Sequence, residues 1–167
     1  MITISSYSYE ELLPIVGENM PSRIFTTNEG SFKVKMSSVR MECLKRNPKC
    51  IWCHREGNVW LLQAGKRGAP QVKMNCFREN CPWCAKYYYL RASFNEHKFE
   101  RPHLNLFHRA PNGGLTMMTR DHIIAKSCGG SESIDNMQTM CCNCNSSKGS
   151  LTWEEFVIKM GKHVGPH

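Results

Sequence analysis

Thr119-Arg120-Asp121-His122-Ile123-Ile124-Ala125-Lys126-Ser127-Cys128-Gly129-Gly130, continued by Asp135-Asn136-Met137-Gln138-Thr139-Met140-Cys141-Cys142-Asn143-Cys144-Asn145-Ser146-Ser147-Lys148, is the stretch that decides the fold. It holds an adjacent Asp-His pair, a Gly-Gly turn, an Asn, a CxxC unit and a closing Asn-x-x-Lys. A histidine titrates near neutrality and suits a general base. Carboxylate and amide oxygens suit a hard divalent cation. Paired cysteines suit a structural zinc.

Just upstream, His103-Leu-Asn-Leu-Phe107 alternates as a strand does, and Pro111-Asn-Gly-Gly114 marks a turn. Leu115 to Thr119 then reads as a second strand running into Asp121 and His122. Neighbouring side chains on a strand point to opposite sides, so these two would approach a bound group differently. Cys141 to about Gly149 should open a helix, and a zinc ion on Cys144 would fix its start and so place Asn145. Thr152-Trp-Glu-Glu155 fits a capping box for a last helix with Trp153, Phe156 and Val157 inward.

The rest of the 167 residues is less explicit. Ser8-Tyr-Glu-Glu11 is another capping box, predicting a short helix within residues 5–20. The strand-like runs Asn58–Leu62 and Tyr87–Leu90 each follow a CxxC unit. The net charge of +8 is uneven: residues 1–30 carry −3, 31–110 carry +11, and 111–167 balance. A basic middle segment suits a polyanion partner. There is no run of 18 apolar residues for a membrane span, and the N-terminus lacks the basic start and apolar stretch of a secretory signal. A cytoplasmic protein is expected. Ten cysteines in a reducing compartment then read as metal ligands, not disulfides.

The motif DHI-x-x-K-S-x-G-G followed by N-x-x-x-x-C-x-x-C-N-x-x-K-G resembles that of the HNH endonucleases, most strongly over residues 103–150. His122, Asn136 and Asn145 occupy the three named positions, with Asn in place of the final His. Ala125 stands where the family usually has Pro, a change of loop rigidity and not of a catalytic group. His103-Leu-Asn-Leu-Phe107 and Met117-Met-Thr-Arg-Asp-His122 are similar to phage-encoded members in particular. The resemblance implies an α+β fold: a ββα-metal (His-Me finger) core with zinc knuckles and short flanking helices.

The activity so implied is hydrolysis of DNA phosphodiester bonds, leaving a 5′ phosphate and a 3′ hydroxyl. Water must lose a proton and the leaving oxygen must be stabilised. His122 is the candidate base. Asp121 and Asn145 are the candidate ligands of Mg2+ or another divalent cation, and Asn136 is the candidate brace of the loop that holds His122. Arg120, Lys126 and Lys148 are placed to meet phosphate. Two other readings remain, a non-catalytic zinc-stabilised nucleic-acid-binding protein and a structure-selective or RNA nuclease. A homodimer would suit double-strand cleavage, although no dimer interface is legible.

In the resembling family a CxxC before the hairpin joins the helical CxxC in a four-cysteine zinc site. Cys141 and Cys144 supply the second half. Cys81 and Cys84 are favoured for the first, because they lie closer in sequence. Cys50 and Cys53 are the alternative, or part of a second zinc site with Cys76 and a histidine such as His54 or His97; a Cys50/Cys53–Cys81/Cys84 ribbon is a third arrangement. One or two zinc ions follow. The expected organisation is an acidic helical appendage over 1–30, a basic zinc-knuckle and DNA-binding region over 31–102, the core over 103–150, and a C-terminal helix and tail over 151–167.

Overall fold

The computed structural model describes residues 2–17, 22–36, 38–66 and 99–161. The chain is a mixed α+β fold. Its main sheet has five antiparallel strands, which lie side by side in the order β1 (Ile2–Ser8), β4 (Val59–Lys66), β5 (Phe99–Arg109), β6 (Leu115–His122) and β7 (Met137–Cys141). β2 (Arg23–Thr27) and β3 (Gly30–Val34) form a separate hairpin. Among the described residues four α-helices accompany them: α1 (Tyr9–Leu12), α2 (Val39–Arg46), α3 (Cys142–Lys148) and α4 (Trp153–Met160). None of the described helices is long and apolar enough to cross a membrane.

The core lies on the sheet face carrying Trp60, Leu62, Leu104, Leu106 and Met118, all at most 1% exposed. Trp60 pairs with Leu106, and Leu62 with Leu104, in the β4–β5 register, so the alternation read at His103–Phe107 becomes one packed layer. Met41 and Leu44 of α2 and Phe156 of α4 close it. Gly57 sits where a Cβ would come within 2.5 Å of Leu106, so only glycine lets the chain cross this layer.

The N-terminal segment differs from the expected helix over residues 5–20. Ile2–Ser8 is instead an edge strand paired with β4. The Ser8 capping box is present, but α1 lasts four residues. Pro14, which has no N–H to donate, follows at once. Leu12 and Val16 are buried in the shared core, so these residues complete the main sheet and core. The Cys81–Cys84 knuckle, Tyr87–Leu90, Cys76 and His97 lie outside the described residues.

Candidate active site and metal centre

β6, β7 and α3 make a ββα unit, and every candidate residue of the decisive stretch sits on it or on the loop between its strands. In the β6–β7 register Asp121 faces Gln138 and His122 faces Met137, so the pair lies at the end of β6 where the loop begins. Asn136 closes that loop. Its Oδ1 accepts from Ile124 N at 2.9 Å, its Nδ2 donates to Ile124 O at 3.1 Å and Ser131 O at 2.9 Å, and its backbone O accepts from Ile123 N at 2.9 Å. The side chain thus binds both backbone groups of one residue and pins the chain just after His122. Gly130 is needed beneath it: a Cβ there would lie 1.8 Å from Ile124 O.

His122, Asp121, Asn145, Arg120, Lys126 and Lys148 line one pocket of about 350 Å³. The His122 side chain is 20% exposed, yet its Nε2 is buried and has no hydrogen-bond partner. The nearest carboxylate oxygen, Glu132 Oε1, is 3.5 Å away, an ion-pair separation without hydrogen-bond geometry. A buried imidazole nitrogen without a hydrogen-bond partner is uncommon and marks a candidate functional group. Asn145 is held by its nitrogen: Nδ2 donates to Thr119 Oγ1 at 2.9 Å and to Arg120 O at 3.1 Å. Its amide oxygen is therefore the end left for another ligand.

Asp121 is 6% exposed. It accepts from Gln138 Nε2 at 2.8 Å and from Lys148 Nζ at 3.2 Å, with the second oxygen 3.1 Å from the same ammonium. Lys148, expected to reach phosphate, is instead 1% exposed. It is the last residue of α3, which packs on β6, so its stem turns inward and its ammonium also donates to His122 O at 3.1 Å. A buried lysine without such partners would lose several kcal/mol of hydration, on the order expected for an ion in a low-dielectric interior. The oxygens of Asp121 and Asn145 match the donor preference of a hard divalent ion, and both line the pocket.

Arg120 and Lys126 are at the rim. Both bind Glu132, at 3.1 Å and 2.9 Å, and the same carboxylate lies 3.5 Å from His122 Nε2. The Lys126 hydrogen bond chiefly holds the Glu132 carboxyl below the usual carboxylate range. Glu132 and Gln138 are site residues that the motif did not announce. Strand register would have found Gln138 opposite Asp121; for Glu132 the only signal is an acidic residue in the Gly-Gly loop six positions after Lys126.

The thiols of Cys50, Cys53, Cys141 and Cys144 gather with every sulfur within 4.8 Å of the others, an arrangement that could hold a metal ion. The Cys53–Cys141 separation of 3.7 Å matches the edge of a tetrahedron of four sulfurs around zinc, about 3.8 Å for Zn–S bonds of about 2.3 Å. Cys141 is the N-cap of α3 and lacks a side-chain capping bond, and Cys144 lies in its first turn. The other pair comes from a tight turn closed by Cys50 N→Arg55 O at 2.8 Å and His54 N→Cys50 O at 3.0 Å, with His54 left-handed at φ 60°. Ile51 N→Thr139 O, 3.0 Å, ties this turn to β7. Within it, Trp52 packs on Phe156 and Trp153 of α4, with ring centroids 4.7 and 5.8 Å away. Thus the pair that the sequence ranked second is the one beside Cys141 and Cys144, and Cys81 and Cys84 are outside the described residues. No other described group of three His, Cys, Asp or Glu side chains is gathered this closely.

Burial and the neighbouring sulfurs push Cys144 up, and burial pushes Cys53 up. Burial also opposes ionisation of Cys50, but backbone hydrogen bonds at Cys141, Cys53 and Trp52 outweigh it and lower that thiol. Cys142 is half-buried and Cys128 exposed, both outside the cluster.

Residues 105–151 match the model of the HNH endonuclease family. That segment contains Arg120, Asp121, His122, Lys126, Asn136, Asn145, Lys148 and the Cys141–Cys144 half of the thiol cluster. No curated protein and no solved structure matches the chain.

Proposed function

We propose that this protein is a metal-dependent HNH endonuclease that hydrolyses phosphodiester bonds of DNA. The HNH segment itself points to nuclease or nucleic-acid-binding function. The observation favouring catalysis is the unpaired, buried Nε2 of His122 in a pocket shared with Asp121 and Asn145. Binding alone requires no such nitrogen.

His122 takes the proton from the attacking water. Asn136 keeps the imidazole in place through the backbone of residues 123 and 124. Arg120 and Lys126 hold the flanking phosphates, which fixes the backbone without reading sequence. Asp121 and the amide oxygen of Asn145 would hold Mg2+ or a similar cation, which supplies charge neutralisation for the phosphate and the departing oxygen. Zinc on Cys50, Cys53, Cys141 and Cys144 would hold the start of α3 against β7, and with it Asn145. DNA is the partner in this reading, with the basic segment 31–110 extending the contact.

A plasmid-nicking assay with and without EDTA, on the wild-type chain and His122→Ala, tests the proposal. Nicking should require a divalent ion and disappear in the variant, with fold and DNA binding retained. Metal-dependent nicking at an undiminished rate in His122→Ala would refute it. The saturation of Asp121 by Lys148 and Gln138 favours a second reading, a zinc-stabilised DNA-binding protein without catalysis. Absence of nicking by wild-type protein that binds DNA would select it. Competition among duplex, junction and RNA substrates defines the substrate class.

A further inference from the structure

Lys148 is the least exposed charged side chain among the buried polar residues, and it sits on the carboxylate proposed to hold the catalytic cation. Its ammonium lies 3.2 and 3.1 Å from the two oxygens of Asp121 and is anchored by His122 O at 3.1 Å. Gln138 takes a further lone pair of Asp121. A carboxylate offers about four lone-pair sites, so little of Asp121 is left open. The pocket is also positive before any ion enters: Arg120, Lys126 and Lys148 outnumber Asp121, and counting Glu132 still leaves an excess of one positive charge. A doubly charged ion arriving alone meets repulsion at short range in a partly dry site.

We propose that Lys148 is a resident cation on Asp121 that makes divalent-ion binding conditional on nucleic acid. Backbone phosphates bring the negative charge that lets a second cation share the carboxylate. Lys148 is then a positioning residue acting through Asp121, and metal loading and DNA binding are coupled, each strengthening the other by the same factor. The inference rests on the nuclease reading and specifies when its metal site fills.

The test follows Mn2+ binding by electron paramagnetic resonance, using the zinc-loaded full chain with and without a nuclease-resistant phosphorothioate duplex. Wild-type protein should bind Mn2+ weakly alone and about tenfold or more tightly with duplex. Lys148→Met keeps the stem and removes the charge. It should tighten Mn2+ binding without DNA by a similar factor and abolish most of the dependence on duplex. Lys126→Met removes an exposed charge from the same pocket and should change Mn2+ affinity far less. An unchanged or weakened affinity in Lys148→Met, or an equal gain in Lys126→Met, overturns the assignment and leaves the nuclease reading standing. If Lys148→Met does not fold, the wild-type titration decides, because Mn2+ affinity independent of DNA overturns the proposal. No Mn2+ binding even with duplex overturns the proposal and the metal-dependent reading together.

Discussion

Asn136 binds Ile124 twice, accepting from its N–H at 2.9 Å and donating to its carbonyl at 3.1 Å, as a neighbouring strand would. The side chain therefore does the work of a backbone ladder where the chain leaves β6. Asn136→Ala leaves Ile124 N–H, Ile124 O and Ser131 O without that partner in a site 9% exposed. Each buried group left unpaired costs about 1–3 kcal/mol, so a loss on the order of 2 kcal/mol or more is expected in urea unfolding. Cleavage should fall through kcat, because His122 moves while the phosphate contacts remain. Asn136→Asp should be worse, since it sets a carboxylate against two carbonyl oxygens. A fully active, fully stable Asn136→Ala would show that the loop is held otherwise.

Trp52 links the thiol cluster to α4, and Trp52→Ala should test how far the centre depends on that packing. The ring is 6% exposed and touches Phe156 and Trp153. Truncating a buried Trp costs about 3–5 kcal/mol. Calorimetry should show that loss, and zinc should leave the variant more readily when challenged with a colorimetric chelator. Cys53→Ser should abolish stoichiometric zinc, whereas Cys128→Ser and Cys142→Ser should leave it intact. Retained zinc in Cys53→Ser would remove this thiol from the centre.

Much of the site was legible because it is local. Asp121-His122, Asn136 and the Cys141–Cys144 pair fall on one hairpin and helix, where spacing along the chain translates directly into position. The upstream half of the thiol cluster was not legible. Loop closure changes slowly with length, so proximity in sequence could not choose between Cys81/Cys84 and Cys50/Cys53. What seats Cys50 and Cys53 is the Ile51–Thr139 backbone bond and the Trp52–Phe156 contact, both long-range. Lys148 misled for a related reason. A lysine one turn past Asn145 reads as a phosphate contact, and only the seating of α3 on β6 turns it toward Asp121. At the N-terminus the Ser8 capping box marked a real helix start. The pairing of Ile2–Ser8 with β4 depends on the register of a partner far along the chain.

The thiols give the metal-free protein a distinctive pH response. Cys53 and Cys144 are raised above the ordinary thiol value of 9.0 in the folded chain, by burial first in both. A raised thiol contributes stability that is present below its unfolded pKa and is lost as pH rises toward the folded value. Cys50 is lowered and works in the opposite sense, as one group against two. Chelator-treated protein should therefore melt at a lower temperature at about pH 10 than at about pH 8, on either side of the ordinary thiol pKa. Zinc-loaded protein, whose thiolates are neutralised by the ion, should show a smaller drop. Parallel thermal scans check this, and identical pH profiles for the two forms would mean that Cys50, Cys53 and Cys144 are not the groups responding.

Glu132 reaches Lys126 at 2.9 Å and Arg120 at 3.1 Å, and so holds the two rim cations that the proposed mechanism assigns to phosphate. It is itself exposed to solvent, so DNA phosphates can compete for both partners. Glu132→Gln removes the internal competitor and keeps the side-chain length. DNA affinity in EDTA should rise, and its salt dependence should steepen. Each additional phosphate neutralised adds about −0.9 to the slope of log K against log salt, so freeing one or both cations predicts a change of about one to two. Fluorescence anisotropy across a salt series measures it. An unaltered slope with unaltered affinity would mean that Arg120 and Lys126 do not meet the backbone. A tighter complex with an unaltered slope would point instead to relief of general repulsion between Glu132 and the nucleic acid.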